Sequence, residues 1–115
     1  MIEVLVAHKE AMLRELIKDM ILARGDYKVM MTDCMGQTLA AVRNCPISLT
    51  IMDYELFSPS WVFGKSAKYL RPEMVIALTD AGPEDGGDNV DVRVSMMDLH
   101  DRLDEILALA NSKSA

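Results

Sequence analysis

The residues best placed to do chemistry stand at the ends of apolar runs. In "TIMDYELF" (50–57) a run from Leu49 to Met52 ends on one carboxylate, Asp53. In "EMVIALT" (73–79) a similar run ends on a hydroxyl, Thr79. After "IEVLVA" (2–7) comes the turn "AHKE" (7–10), which sets an imidazole, an ammonium and a carboxylate in sequence as His8, Lys9 and Glu10. A carboxylate that closes an apolar strand is either a cap for the next turn or helix, or a reactive group held at the lip of a sheet. The choice depends on whether these strand ends meet.

The intervening elements bear on that. "IEVLVA" predicts a first strand, and "EAMLRELIKDMILAR" (10–24) predicts a helix with Leu13, Leu16, Ile17, Met20 and Ile21 on one buried face. Gly25 then stands where a helix-ending glycine belongs. "YKVMMT" (27–32) is a second strand, and Asp33 is the expected cap of a helix over 34–44 that contains Gly36. "ISLTIMD" (47–53) and "EMVIALT" are apolar almost throughout, as strands buried on both faces of a parallel sheet are. A helix is expected over 60–70, with Gly64 as a weak point, and a solvated loop over "DAGPEDGGDN" (80–89), which lacks the spacing of a calcium loop. "VDVRVS" (90–95) alternates like an edge strand, and "MMDLHDRLDEILALA" (96–110) is an amphipathic helix, after which "NSKSA" is expected to fray. Alternating strands and helices predict a parallel sheet covered on both sides. In such sheets chemistry gathers at the carboxyl ends of the strands, where Asp53, Thr79 and "AHKE" all fall.

Composition narrows the function classes. A chain of 115 residues, half of them hydrophobic, suffices for one domain with one core. Ten methionines against 5% aromatics make that core adaptable. The formal charge of −6, from 12 basic and 18 acidic residues, has the wrong sign for tracking a nucleic-acid backbone. No apolar run approaches the ~20 residues of a membrane span, and no signal-peptide layout opens the chain, so the expected location is the cytoplasm. Cys34 and Cys45 fall at the two ends of one predicted helix, about 16 Å apart. A disulfide needs Cα atoms within about 7 Å, so both are expected to be free thiols, and a two-cysteine metal site is ruled out by the same distance.

With these residues in place, the chain resembles the receiver domain of bacterial two-component response regulators over nearly its whole length. "EVLVAHKEAMLRELI" runs without a gap along a receiver opening, "VIALTDA" resembles the fourth strand with its switch threonine, and "VRVSMMDLHDRLDEIL" resembles the fifth strand and last helix. The resemblance implies a doubly wound α/β fold with a flavodoxin-like five-stranded parallel sheet of order 2-1-3-4-5. It places Asp53 at the phosphoacceptor and Thr79 at the switch position. Receivers take a phosphoryl group from a histidine kinase with the help of a magnesium ion held by two further acids. Those positions are His8 and Lys9 here. A lysine cannot ligate and its charge repels the ion, while imidazole is a poor magnesium ligand. Glu10, the nearest acid and a weak metal candidate, lies one step into the helix. The lysine that grips the phosphoryl group is replaced by Ser95, the proline after it by Met96, the aromatic switch residue by Val92, and the proline four residues after the aspartate by Phe57. The interval from Thr79 to Ser95 leaves the fourth helix shortened or missing.

The resemblance therefore implies a degenerate member, a pseudo-receiver spanning 1–111 with a disordered tail at 112–115. It is read as a signalling module, not an enzyme, with no cofactor, that binds a partner signalling protein. Neither nucleic acid nor membrane is a partner; a histidine kinase and a homodimer stay open. In this reading Asp53 pairs with Lys9, since opposite charges about 4 Å apart at an effective dielectric of ~20 attract by about 4 kcal/mol before desolvation. Thr79 bonds a nearby turn and His8 is polar surface. The first alternative is a working single-domain response regulator phosphorylated on Asp53, with magnesium and help from Glu10 or Asp80. The second is a small flavodoxin-like ligand-binding domain or enzyme, which needs a preformed anion site. "GKSAK" (64–68) does not supply one, because Pro59 stands where a phosphate-binding loop needs glycine. Trp61 and Phe63 are core residues or, if exposed beside Phe57, a partner patch.

Overall fold

Strand and helix periodicities both find their buried faces in the computed structural model, which describes residues 2–53, 74–78 and 92–114. The described elements are β1 (Glu3–Ala7), α1 (Ala11–Leu22), β2 (Lys28–Thr32), α2 (Met35–Asn44), β3 (Leu49–Asp53), β4 (Met74–Leu78), β5 (Val92–Val94) and α3 (Met96–Ser114). The strands form one five-stranded sheet of order β2-β1-β3-β4-β5, and every neighbouring pair is parallel. This is the expected doubly wound α/β architecture. The helix expected over 60–70, the fourth-helix interval, the loop over 80–89 and the residues Phe57, Pro59, Trp61, Phe63, Thr79 and Asp80 lie outside the described residues.

Two cores follow from the pleat, which sends successive side chains to opposite faces. Val4, Val6, Leu49 and Ile51 join Ile17 and Ile21 of α1 and Leu99, Leu103 and Ile106 of α3 on one face. Leu5, Ala7, Met52 and Val75 meet Ala41 and Val42 of α2 on the other. The central strands β1 and β3 are buried on both faces, which is why their sequences are apolar runs without alternation.

The first helix corrects one expectation. Ile17 and Ile21 are fully buried, whereas Leu16 is 47% exposed. The buried stripe centres on Ile17 and Ile21, and Leu16 stands roughly 100° round the helix from Ile17, at the margin beside the exposed Met12. Arg24 follows the helix and ties it to α3: its Nε donates to Asp104 Oδ1 at 2.9 Å, and its other nitrogens donate to the carbonyls of Met20 at 2.7 Å and His100 at 3.1 Å. Gly25, at φ +151°, takes the turn out of the helix in a region that favours glycine.

At α2 the N-cap is Cys34, in extended conformation, and not Asp33; Cys34 makes no side-chain capping bond. The helix entrance is held instead by two hydroxyls. Thr38 Oγ1 donates to the Cys34 carbonyl at 2.8 Å, which leaves the buried Thr32 hydroxyl to donate to Thr38 Oγ1 at 2.8 Å. Cys34 and Cys45 are both free thiols. The last helix runs on to Ser114, beyond the expected end at Ala110. Asn111 continues it: its Nδ2 donates to the Leu107 carbonyl at 2.9 Å and reaches Tyr27 Oη at 3.4 Å.

Candidate functional site

Register decides which residues meet at the carboxyl edge of the sheet. Ala7 pairs with Met52 in the parallel β1–β3 ladder. One step further along both strands sets His8 beside Asp53, with the two side chains on one face. The next residue, Lys9, alternates away and is exposed. Accordingly His8 Nε2 lies 3.9 Å from Asp53 Oδ2, with 9% and 14% of the two side chains exposed. The expected pairing of Asp53 with Lys9 is thus replaced by a contact with His8. His8 is buried and not the polar surface residue its loop position suggested.

His8 is held at its backbone N–H, its carbonyl and its ring Nδ1. Its backbone N–H donates to the Thr32 carbonyl at 3.1 Å, extending the β1–β2 ladder by one residue. Its carbonyl accepts from Arg14 Nη1 at 2.7 Å, and the same nitrogen donates to the Lys9 carbonyl at 3.1 Å. Its Nδ1 accepts the backbone N–H of Glu10, the N-cap of α1, at 3.1 Å. That bond requires a lone pair on Nδ1, so the neutral ring carries its proton on Nε2, facing Asp53. The separation to Asp53 is too long for a hydrogen bond; it is a contact between an N–H dipole and a carboxylate. Arg14 was not singled out in the sequence, where it reads only as a charged position on a helix.

Ser95 has a different task from the one its alignment position suggests. Its Oγ accepts the Asp98 N–H at 3.1 Å, and its carbonyl accepts from Asp98 at 3.2 Å and Leu99 at 3.0 Å. Ser95 is therefore the N-cap of α3, and Asp98 adds a carboxylate to the first turn, where the helix dipole favours one. The signal was present in the sequence as Ser-x-x-Asp before an apolar run. Glu10 is exposed, and Thr79 lies outside the described residues.

Magnesium demands oxygen ligands in near-octahedral geometry. At Asp53 the described contact is an imidazole N–H. Among the described residues no three His, Cys, Asp or Glu side chains cluster as a metal site. The donor set that the described residues supply does not fit the ion. No helix among the described residues is long and apolar enough to cross a membrane.

No protein-family model matches the chain, and no curated protein matches it. Solved structures do. A response regulator receiver domain from Methylobacillus flagellatus superposes with TM-score 0.80 at 15% identity, covering 96% of this chain and 98% of its own. The receiver domain of a sensor histidine kinase from Pseudomonas aeruginosa PAO1, with a magnesium ion coordinated in its active-site cleft, gives TM-score 0.74 at 18% identity, covering 91% of this chain and 93% of its own. A signal receiver domain of a two-component histidine kinase from Clostridium thermocellum gives 0.71 at 18% identity, over 94% and 95% of the two chains. Strand order, parallel pairing and near-complete mutual coverage agree, and this chain has the receiver-domain fold.

Proposed function

We propose that this chain is a pseudo-receiver: a cytoplasmic signalling module, not an enzyme, that binds a partner signalling protein in one state without phosphoryl-driven switching or a bound metal. The observation that carries the reading is the buried His8 at Asp53, standing where the receiver pattern calls for a metal-holding acid. The commitment of Ser95 to capping α3, in place of a lysine that grips a phosphoryl group, supports it. The origin of two structural neighbours in histidine kinases supports a sensor kinase as the class of partner.

The test is intact mass after incubation with a small-molecule phosphodonor and magnesium, beside Asp53→Asn. The expected result is no adduct on either protein. A phosphoryl adduct on the wild type that vanishes in the variant overturns the reading. It would favour the second one, a single-domain response regulator phosphorylated on Asp53. That reading has its own observation: Asp53 ends its strand at the carboxyl edge of the sheet with part of its side chain open to solvent.

A further inference from the structure

We propose that His8 is an internal lock on Asp53: a fixed N–H dipole that takes the place a cation would take at this carboxylate. The inference deepens the pseudo-receiver reading and rests on it. A histidine that binds a metal turns a lone pair toward it and commonly donates its other ring N–H to an acceptor. His8 has the opposite polarity. Its Nδ1 accepts from the Glu10 N–H, so the nitrogen turned toward Asp53 carries the proton. Offering a lone pair at Nε2 would move that proton to Nδ1 and set N–H against N–H at Glu10. A lost bond and an unsatisfied buried donor oppose that change.

The lock is built from the β1–α1 turn itself. The Thr32 carbonyl fixes the His8 backbone from β2, Glu10 fixes the ring from the N-cap of α1, and Arg14 holds the His8 and Lys9 carbonyls from the next turn of the helix. His8 thus acts as a positioning residue that couples the strand-end carboxylate to the start of α1. The Arg14 guanidinium supplies positive charge on the turn through its bonds to the two carbonyls.

Two measurements test this. Long-range proton–nitrogen NMR on ¹⁵N-histidine-labelled wild type reads the His8 tautomer directly. The expected result is a pyridine-type Nδ1 and a pyrrole-type Nε2, unmoved by magnesium chloride. A pyrrole-type Nδ1, alone or together with Nε2, overturns the lock, because the Glu10 bond could not then exist. Calorimetric titration with magnesium chloride compares wild type, His8→Asp and the His8→Asp/Asp53→Asn pair. His8→Asp is expected to bind about tenfold tighter or more than wild type, and the added Asp53→Asn to abolish the gain. A folded His8→Asp that gains nothing, or a wild type that binds equally well through Asp53, overturns the proposal. If His8→Asp does not fold, the tautomer still decides. A phosphoryl adduct on wild-type Asp53 defeats the pseudo-receiver reading separately, since neither measurement here uses a phosphodonor.

Discussion

The Thr50 hydroxyl is buried in the middle of β3 and has no hydrogen-bond partner among the described residues. It belongs to the central strand of the sheet, between Leu5 of β1 and Val75 of β4 in register. A buried hydroxyl without a partner costs about 1–3 kcal/mol, and valine keeps its shape and its β-branch. Thr50→Val is therefore expected to stabilise the protein by about 1 kcal/mol, seen as a higher midpoint in urea with an unchanged slope. A lower midpoint would show that the hydroxyl has a partner in solution. Residue by residue, the strand-end carboxylate at 53 was legible in the sequence, because an acid after four apolar residues is visible without any fold. Its partner was not. His8 and Lys9 are adjacent in the chain, and only the pleat and the Ala7–Met52 register choose between them.

At the scale of elements, helix ends carry much of the specificity. Among the described residues Ser95 is the one cap with a side-chain bond to a helix N–H, and α3 is the longest of the described helices. Ser95→Ala removes that acceptor and is expected to cost about 1 kcal/mol, read as a lowered urea midpoint with unchanged receiver-type secondary structure by circular dichroism. A neutral result would mean that water satisfies the Asp98 N–H equally well. The cap at α2 went the other way. Asp33 has the favoured residue type, yet the chain enters the helix at Cys34, and the Thr32 and Thr38 hydroxyls, bonded in series to the Cys34 carbonyl, fasten the entrance. Cap preference is a local tendency, and a buried bond between two elements outweighed it. Leu16 failed for a related reason: helical spacing names a face, but only contact with the sheet sets how wide the buried stripe is.

For the whole molecule, the sheet divides two cores that share strands. Ile51 and Met52 are neighbours in β3, both fully buried, and they face opposite cores. Ile51→Ala and Met52→Ala should each destabilise by about 2–5 kcal/mol, a large share of the 5–15 kcal/mol typical of a domain this size. Because every central strand serves both cores, each variant is expected to unfold in a single transition, with far-ultraviolet and near-ultraviolet signals coincident. Separate transitions would show that the faces melt independently. The shared strands also explain how the lock at His8 reaches α1: the site stands on β1 and β3, central strands with buried faces on both sides.

The order of the described strands and helices, the parallel sheet and the carboxyl end at Asp53 were determined by the sequence alone, because buried parallel strands and amphipathic helices write distinct local patterns. The free state of Cys34 and Cys45 followed from helix rise in the same way. What only the tertiary structure decided is polarity at the site: that His8 and not Lys9 faces Asp53, that its ring proton points outward from Glu10, and that Ser95 is spent on a cap. Each of these depends on which side chains lie beside one another across different elements. Strand register and helix entry set those neighbours over distances that no local pattern in the chain encodes.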